Sequence, residues 1–294
     1  MVLASKVQAL TGVIRGHGSL LVALSGGVDS AVLVALSARA LPGRVVAATT
    51  VSAAVPDEEV AEAARIAALC GVPHRVVATH ELEDPAYAAN DGRRCYFCRR
   101  SMYGELGGVA AAEGLARIAD GLQADDVAGD RPGVQAATEH AVLHPLREVG
   151  LGKRELRRLA WGLGLPVHDK PAQPCLASRL PVGVRVTAAR LAQVDAAERV
   201  LRARGYRELR VRCETAHARI EIGVAELARA RAEEQALIAA VCAAGGFASG
   251  ALDPRGYLLK SGSSPSGTDS VTQENAVAYA RPWERSGPRS ESSQ

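Results

Sequence analysis

The stretch Leu20-Leu-Val-Ala-Leu-Ser-Gly-Gly-Val-Asp-Ser30 decides the fold of this chain. It predicts an apolar strand that runs through a glycine turn into an apolar helix. Glycines let the backbone approach a ligand closely, and the free N–H groups at a helix start attract phosphate. The turn contains no lysine, so it is not the Walker-A pattern. We therefore predict a nucleotide site at residues 25–30, in preference to an ordinary glycine-rich turn.

Strand and helix patterns alternate along the first half of the chain. Strands are predicted at residues 20–24, 45–51, 74–78 and 115–119, and helices at about 31–40, 56–70, 101–113 and 153–163. This order predicts an α/β fold with a doubly wound parallel sheet. Because ligands of such sheets bind at the carboxyl ends of strands, we expect Ser25, Thr50, Val51, Asp120 and Gly121 to converge on one site.

A proline-rich connector at residues 168–183 precedes a smaller predicted α+β unit. Its predicted elements are a helix at 187–204, strands at 209–213 and 218–222, a helix at about 224–243 and a strand at 247–252. We therefore predict domains at residues 1–167 and 168–260. The segment 261–294, rich in Ser, Gly, Pro and charge, is expected to be disordered.

The overall composition argues against several classes of partner. With 35 basic and 32 acidic residues, the net charge of +3 is too balanced to indicate a nucleic-acid or membrane-binding protein. No apolar run reaches membrane-spanning length and no signal peptide is evident, so we expect a cytoplasmic protein. Its six cysteines should then be unpaired, and serve as core residues, metal ligands or reactive thiols.

Two cysteine-containing segments are candidates for chemistry. Cys95-Tyr-Phe-Cys98 is a C-x-x-C pair between two arginine pairs, which suits metal or redox chemistry or simply small apolar residues at a helix start. Zinc would need two more ligands close by, and the sequence offers none. Cys175 lies in the connector outside any apolar period, so it is either a reactive thiol or a buried structural one.

Charged residues form two further candidate sites. Arg210, Arg212 and Arg219 share one strand face with Glu221, which indicates either an anion site or a solvated surface. The acidic loop at residues 120–126 follows a predicted strand. Its carboxylates could bind Mg²⁺ on a nucleotide or order the loop through local hydrogen bonds.

Ser25-Gly-Gly-Val-Asp-Ser30 resembles the PP-loop of the N-type ATP pyrophosphatases, which cleave ATP between its α and β phosphates. Within that superfamily, the chain resembles the LarE-type ATP-dependent sulfurtransferases of nickel-pincer nucleotide synthesis over about residues 15–260. The motifs that carry this resemblance are Thr50-Val-Ser52, Cys95-Tyr-Phe-Cys98, Ala119-Asp-Gly121, Ala124-Asp-Asp126, Arg131-Pro-Gly133, Asp169-Lys-Pro171, Cys175-Leu-Ala-Ser-Arg179, Leu209-Arg-Val-Arg212 and Ala218-Arg-Ile-Glu221.

The resemblance implies a reaction in two steps. ATP with Mg²⁺ adenylates a carboxylate of pyridinium-3,5-biscarboxylic acid mononucleotide, and a sulfur then displaces AMP to leave a thiocarboxylate. Cys175 matches the family's sulfur donor. Some members sacrifice this cysteine, whereas others also carry the C-x-x-C pair and hold a [4Fe-4S] cluster. The resemblance also implies a homo-oligomer, a hexamer.

The resemblance further implies roles for individual residues. Cys175 and Asp29 are the expected catalytic residues. ATP and its metal are expected at Ser25, Gly26, Gly27, Asp29, Ser30, Thr50, Val51, Asp120, Gly121, Asp125 and Asp126. The substrate is expected at Arg100, Arg131, Ser178, Arg179, Arg210, Arg212 and Glu221, and the cluster at Cys95, Cys98 and Cys175.

The chain departs from the family pattern in two places, and two alternatives remain. Leu122-Gln123 stand where the family has Thr or Ser and then Asn, and the closing motif after Gly256 is altered. One alternative is another PP-loop enzyme, for tRNA thiolation or amide formation. A tRNA enzyme should be more basic, and an amide-forming synthetase would not need the three cysteines. A non-catalytic zinc- or nucleotide-binding protein is the other alternative.

Overall fold

Two sheets organise the chain in a computed structural model that describes residues 2–126 and 132–257. The first half forms, in chain order, α1 (Leu3–Gly16), β1 (Leu20–Ala23), α2 (Val28–Ala40), β2 (Val45–Val51), α3 (Asp57–Leu69), β3 (His74–Ala78), α4 (Pro85–Ala89), α5 (Arg94–Ala112), β4 (Arg117–Ala119), α6 (Pro132–Glu139), α7 (Pro145–Glu148) and α8 (Lys153–Gly162). The second half forms α9 (Ala188–Ala203), β5 (Leu209–Glu214), β6 (His217–Ile222), α10 (Leu227–Ala232), α11 (Glu234–Gly245) and β7 (Ser249–Leu252). Short 3₁₀ turns lie at Glu81–Glu83, Leu176–Arg179 and Val224–Glu226.

The first sheet is fully parallel, with the strand order β3-β2-β1-β4. Leu20 of β1 pairs with Val45 of β2 on one side and with Arg117 of β4 on the other. Parallel neighbours need crossover connections, and the helices between these strands supply them. The predicted doubly wound α/β class is therefore confirmed. The carboxyl ends of all four strands lie at one edge of the sheet.

Helix α2 is the centre of the first core. Between Val28 and Ala40 only Asp29, Ala38 and Arg39 keep partial exposure, because the sheet, α1 and α8 surround this apolar helix. Helix α1 has no counterpart in the sequence prediction, since its first turn lacks a side-chain cap and a short set of apolar residues marks its buried face. In the described residues, no helix combines the length and the apolar character needed to cross a bilayer.

The second sheet has the order β5-β6-β7, with an antiparallel β5–β6 hairpin and a parallel β6–β7 pair. Thr215, at φ +59°, turns the chain between the hairpin strands. One face of the hairpin is apolar and fully buried under α9 and α11, and it consists of Leu209, Val211, Cys213, Ala218, Ile220 and Ile222. The smaller C-terminal α+β unit is therefore confirmed as part of the fold class.

The structure differs from the sequence prediction at several element boundaries. Helix α5 begins at Arg94 rather than at 101, so the C-x-x-C pair lies inside its first turns. The helix predicted at 224–243 is two helices, broken at Glu233, whose carboxylate accepts a hydrogen bond from the Tyr206 hydroxyl at 2.6 Å. The last strand begins at Ser249 instead of 247. The segment 261–294 lies outside the described residues.

Candidate active site

The turn between β1 and α2 is closed by its two serines. The backbone N–H of Ser25 donates to the Ser30 hydroxyl oxygen at 3.2 Å, and that hydroxyl donates to the carbonyl of Gly27 at 3.1 Å. The hydroxyls of Ser25 and Ser30 lie 3.1 Å apart. Gly27 caps α2 without a side-chain bond, so the first N–H groups of the helix remain available to an anion.

Close backbone contacts hold this turn in place. Gly26 has φ +75°, and a Cβ atom there would lie 2.7 Å from the carbonyl oxygen of Glu59. A Cβ on Gly121 would lie 2.8 Å from the backbone nitrogen of Ser30. Only glycine fits either position without a shift of the backbone. The loop after β4 therefore packs directly against the turn after β1.

Two lysines reach the turn from distant parts of the chain. Lys153 Nζ lies 3.0 and 2.8 Å from the two carboxylate oxygens of Asp29. Lys170 Nζ donates to the carbonyl of Gly26 at 3.0 Å and to Glu59 at 2.8 Å. The turn thus acquires the positive charge that its own sequence lacks. Sequence reasoning missed both lysines as site residues, although the chain has only four lysines among 35 basic residues.

Asp29 is a carboxylate in a largely desolvated position. Burial raises its pKa above the ordinary value, and the adjacent Lys153 opposes that shift without cancelling it. The charge of Asp126 raises the pKa further, so the two carboxylates lie within electrostatic reach of each other. A cation between them would relieve this repulsion, which suits a metal ion carried by a nucleotide.

The acidic loop after β4 is ordered by local bonds, as one of the two sequence alternatives expected. Asp125 accepts from the backbone N–H of Lys153 at 2.6 Å, at the start of α8. A Cβ on Gly152 would lie 2.9 Å from a carboxylate oxygen of Asp125. Asp126 accepts from the backbone N–H of Gln123 at 3.2 Å. Asp125 therefore acts at least as a structural cap.

Asp120 is buried and fully engaged by its neighbours. It accepts from the Tyr103 hydroxyl at 2.6 Å and from the backbone N–H of Leu122 at 3.1 Å, and His144 Nδ1 lies 2.7 Å away. Burial alone would raise its pKa, but the hydrogen bond with His144 and the charge of Arg99 outweigh burial and lower it. Asp120 thus links α5 to the carboxyl edge of the parallel sheet, and its carboxylate oxygens are already occupied by hydrogen bonds.

Thr50 and Val51, which the resemblance implies as ATP-binding residues, lie at the end of β2. Both are half-buried, whereas the strand before them is buried. Thr49, the preceding residue, donates from its hydroxyl to the carbonyl of Leu24 at 2.6 Å. This hydrogen bond connects β2 to the residue just before the turn at residues 25–30. Thr50 and Val51 therefore stand at the same sheet edge as the turn.

The three candidate cysteines lie in one region next to α5. Cys95 is exposed, while Cys98 and Cys175 are half-buried. Burial raises the pKa of Cys98 to about 12, and Cys175 raises it further. Cys98 and Cys175 pack against the same apolar cluster. Within residues 2–126 and 132–257, no three His, Cys, Asp or Glu side chains are spaced to chelate a single metal ion.

The connector that carries Cys175 is hydrogen-bonded to the first sheet's loops. The backbone N–H of Leu176 donates to the carbonyl of Ala54, in the loop after β2, at 2.9 Å. Arg94 donates to the carbonyl of Ala177 at 2.8 Å. Asn90 donates from its side chain to the carbonyls of Pro181 and Val184, at 2.7 and 2.9 Å. Cys175 is thereby held near the carboxyl edge of the parallel sheet.

Arg179 is the most deeply buried of the candidate substrate residues. Its side chain is 1% exposed and forks onto Glu198 at 2.7 and 2.9 Å. Its remaining nitrogen donates to the carbonyl of Cys175 at 3.1 Å and to the Ser178 hydroxyl at 3.0 Å. In this arrangement Arg179 supports the Cys175 loop.

The polar face of the second sheet borders a cavity of about 320 Å³ between the hairpin and residues 178–182. Arg212 and Arg219 line this cavity, and both pair with Glu221, at 3.0 and 2.6 Å. Arg210 lies behind them, 2% exposed, with its guanidinium 4.7 Å from the ring centre of Tyr257. The face is thus a charged pocket wall rather than a freely solvated surface.

Arg100, another predicted substrate residue, is not among the described residues that line the cavity beside the β5–β6 hairpin. Arg100 is paired with Asp84 at 2.8 Å, near the rings of Tyr96 and Phe97. Arg131 lies outside the described residues. The structure therefore brings the turn, the lysines and the Cys175 loop to one sheet edge, and gives the arginine face its own cavity.

Comparison with known proteins identifies the family. The asparagine synthase family model matches residues 7–89, which include the turn. A Synechocystis protein of uncharacterised function is 41% identical over 220 residues, 75% of this chain and 82% of that protein. The pyridinium-3,5-bisthiocarboxylic acid mononucleotide synthase of Lactiplantibacillus plantarum is 33% identical over 227 residues, 76% of this chain and 82% of that enzyme.

The chain belongs to the LarE family of the PP-loop superfamily. The predicted resemblance is thereby confirmed over 227 residues, 76% of the chain. The family model and the Lactiplantibacillus plantarum relative support an ATP-using enzyme. The sulfur source, the exact substrate and the roles of individual residues stay predictions.

Proposed function

We propose that this LarE-family protein adenylates a carboxylate of pyridinium-3,5-biscarboxylic acid mononucleotide and converts it to a thiocarboxylate. AMP and pyrophosphate are the other products. The observation that carries the proposal is the hydrogen bond from the N–H of Leu176 to the carbonyl of Ala54. It holds the Cys175 loop beside the end of β2, at the sheet edge where the ATP turn lies.

In the first half-reaction, the turn holds the leaving pyrophosphate. Backbone N–H groups at the start of α2, with Ser25 and Ser30, are its hydrogen-bond donors. Lys153 and Lys170 supply positive charge to the phosphates, and Asp29 with Asp126 holds Mg²⁺. The substrate carboxylate attacks the α phosphorus, the bond to the β-phosphate oxygen breaks, and an acyl adenylate forms.

In the second half-reaction with direct use of the thiol, the Cys175 sulfur attacks the carbonyl carbon of the adenylate, a C–S bond forms and AMP leaves. The resulting thioester loses its Cβ–Sγ bond as the Cα proton is removed, which leaves the thiocarboxylate and dehydroalanine at position 175. Cys175 is the residue that presents this sulfur. Arg179 fixes the Cys175 loop through the carbonyl of that cysteine and is itself fixed by Glu198. The thiol therefore lies on a hydrogen-bonded loop, in the connector between the two sheets.

The residues around Cys175 fit an iron–sulfur cluster as well as direct use of the thiol. Each cysteine of a [4Fe-4S] cluster binds its own iron, so the sulfurs need not surround one ion. Cys98 and Cys175 pack against one apolar cluster, and Cys95 lies on the same helix as Cys98. Bound to three thiolates, such a cluster would supply a replaceable sulfide at its fourth iron.

The substrate's phosphate is anchored, in this proposal, by the arginine face. Arg212 and Arg219 reach the cavity of about 320 Å³, and Ser178 lies on its opposite wall. A phosphate would compete with Glu221 for both guanidiniums and would gain paired, charge-assisted hydrogen bonds. The pyridinium carboxylates would then extend from this cavity toward Cys175.

The test is to incubate the anaerobic protein with MgATP and the biscarboxylic mononucleotide, and to measure pyrophosphate and the product mass together. We expect pyrophosphate release only when the mononucleotide is present. The product mass should show that one carboxylate oxygen has been replaced by sulfur. The matched control substrate is the same mononucleotide without carboxylates, which should release none. Pyrophosphate release driven by tRNA, or by ammonia with another acid, would contradict the proposal.

A further inference from the structure

The part of the connector that precedes Cys175 is held by arginine side chains. It lies in neither a helix nor a sheet, and two of its residues are prolines, which have no N–H to donate. Side chains satisfy its carbonyls instead, and every second carbonyl from residue 168 to residue 174 accepts from a guanidinium at 2.5–2.9 Å. The donors are Arg157 for residues 168 and 170, Arg210 for residue 172 and Arg179 for residue 174.

Arg210 makes its contact with the connector from strand β5. Its Nη2 donates to the carbonyl of Ala172 at 2.6 Å. Its Nη1 donates to the carbonyl of Leu209 at 2.5 Å and to the side-chain oxygen of Gln173 at 3.4 Å. The guanidinium lies 4.7 Å from the ring centre of Tyr257, whose face stabilises a buried cation. Both terminal nitrogens of Arg210 are therefore already bonded to the protein.

Arg210 differs in this respect from Arg219 on the neighbouring strand. Arg219 is half-buried and lines the cavity of about 320 Å³, whereas Arg210 is 2% exposed and is not among the described residues that line it. Arg219 bonds the carboxylates of Glu221 and Asp253, for which a phosphate can substitute. To reach a phosphate in the cavity, Arg210 would have to give up its bonds to two backbone carbonyls.

The contact of Arg210 lies close to Cys175 along the chain. Three residues separate Ala172 from Cys175, and a chain of that length spans at most about 11 Å. A shift of residue 172 is therefore passed on to the thiol. After the thiol, the chain is held by the hydrogen bond from Leu176 to Ala54, so Arg210 supplies the matching restraint before it.

We propose that Arg210 is a positioning residue, which holds the segment before Cys175 against β5 and does not bind the substrate. The resemblance implies the opposite role, that of a substrate residue. In the proposal, Arg212 and Arg219 bind the phosphate without Arg210. The inference rests on the proposed function for the step it affects, the transfer of sulfur to the adenylate.

The experiment compares Arg210→Met with Arg219→Met in a single turnover with MgATP and the biscarboxylic mononucleotide. For Arg210→Met, the mononucleotide concentration at half-maximal pyrophosphate release should stay within about twofold of wild type, while thiocarboxylate forms about tenfold more slowly because the thiol is displaced. For Arg219→Met, that concentration should rise about tenfold, because a charge-assisted bond to the phosphate is lost. Thiocarboxylate should then follow pyrophosphate as in the wild type.

Amide exchange tests the contact without any activity. The N–H groups of Leu176 and Ser178 are hydrogen-bonded, and in Arg210→Met they should exchange about tenfold faster, because the segment before them is released. Mass spectrometry of fragments that cover residues 175–178 measures this exchange. Arg219→Met should keep the wild-type rates. Arg210→Lys keeps the charge and can still donate to residue 172, so it should show smaller changes in the same direction.

A tenfold rise of the half-maximal mononucleotide concentration in Arg210→Met, with thiocarboxylate keeping pace with pyrophosphate, would overturn the inference and make Arg210 a substrate ligand. Wild-type exchange rates at residues 176 and 178 in both Arg210 variants would overturn it as well. If the wild-type protein releases no pyrophosphate with the mononucleotide, the proposed function fails, and the exchange rates alone then decide whether Arg210 holds the connector.

Discussion

At the residue scale, the turn at residues 25–30 is contacted by side chains that lie outside its own motif. Asp29 is half-buried, and Lys153 pairs with it at 2.8 Å. When nucleotide phosphates and Mg²⁺ enter, Lys153 can exchange this carboxylate for a phosphate oxygen and leave Asp29 to the metal. In the proposed mechanism, this charge pair changes partners when ATP binds.

We expect Lys153→Ala to slow mononucleotide-dependent pyrophosphate release by about a hundredfold, the usual effect of removing one charge-stabilising donor. The matched control is Lys6→Ala, because Lys6 bonds Gly150 and Glu155 near the same helix without reaching the turn. Steady-state pyrophosphate release measures both. Equal rates in the two variants would show that Lys153 has no role at the phosphates.

The raised pKa of Cys98 gives a pH test on protein that holds no iron. Because the thiolate is the reactive form and the pKa is about 12, the alkylation rate of Cys98 should rise about tenfold per pH unit between pH 7 and pH 10. Mass spectrometry of iodoacetamide-treated protein follows each cysteine separately. Cys98 alkylation as fast as that of the exposed Cys95 at pH 7 would contradict the buried placement.

At the element scale, the connector that carries Cys175 is hydrogen-bonded to the end of the short helix α4 and to the start of α5. Asn90 ends α4 in the left-handed conformation, φ 56°, and is 1% exposed. Its side chain bonds the carbonyls of Pro181 and Val184 and accepts from Arg94. One residue therefore joins the first unit's helices to the connector.

We expect Asn90→Ala to lower the free energy of unfolding by about 2–4 kcal/mol, through lost buried hydrogen bonds and an unfavourable left-handed alanine. Amide exchange should accelerate in residues 174–186. Asn90→Gly is the control that keeps the backbone conformation accessible, and it should cost less while loosening the same segment. If both variants kept the wild-type exchange rates in residues 174–186, the Asn90 hydrogen bonds would not be what holds this segment in place.

Local patterns predicted some elements well and missed others for physical reasons. Strands β2 and β3 were predicted at their observed bounds. Strand β2 is a continuous run of β-branched and small residues, and β3 begins directly after Pro73 and contains two adjacent valines. The start of α5 was missed because Arg93 is no side-chain cap and Gly92 precedes it. The ion pair of Lys153 with Asp29 joins residues 124 apart in sequence, which no local pattern encodes.

At the scale of the whole molecule, the two sheets divide the proposed chemistry between them. The parallel sheet carries the ATP turn, and the second sheet carries the arginine face with its cavity. The connector crosses between them with Cys175, braced by Arg179 on one side and by Asn90 on the other. The predicted boundary at 167/168 stays a prediction, as do the hexamer and the cytoplasmic location.

The most direct measurement is a paired assay of Cys175→Ala, with pyrophosphate and thiocarboxylate quantified in the same reaction. Cys242→Ala is the control, since Cys242 lies on α11 with its sulfur next to Gly250 of β7. We predict that Cys175→Ala releases pyrophosphate with the mononucleotide but forms no thiocarboxylate, while Cys242→Ala does both. Thiocarboxylate formed by Cys175→Ala would contradict a sulfur presented by this residue.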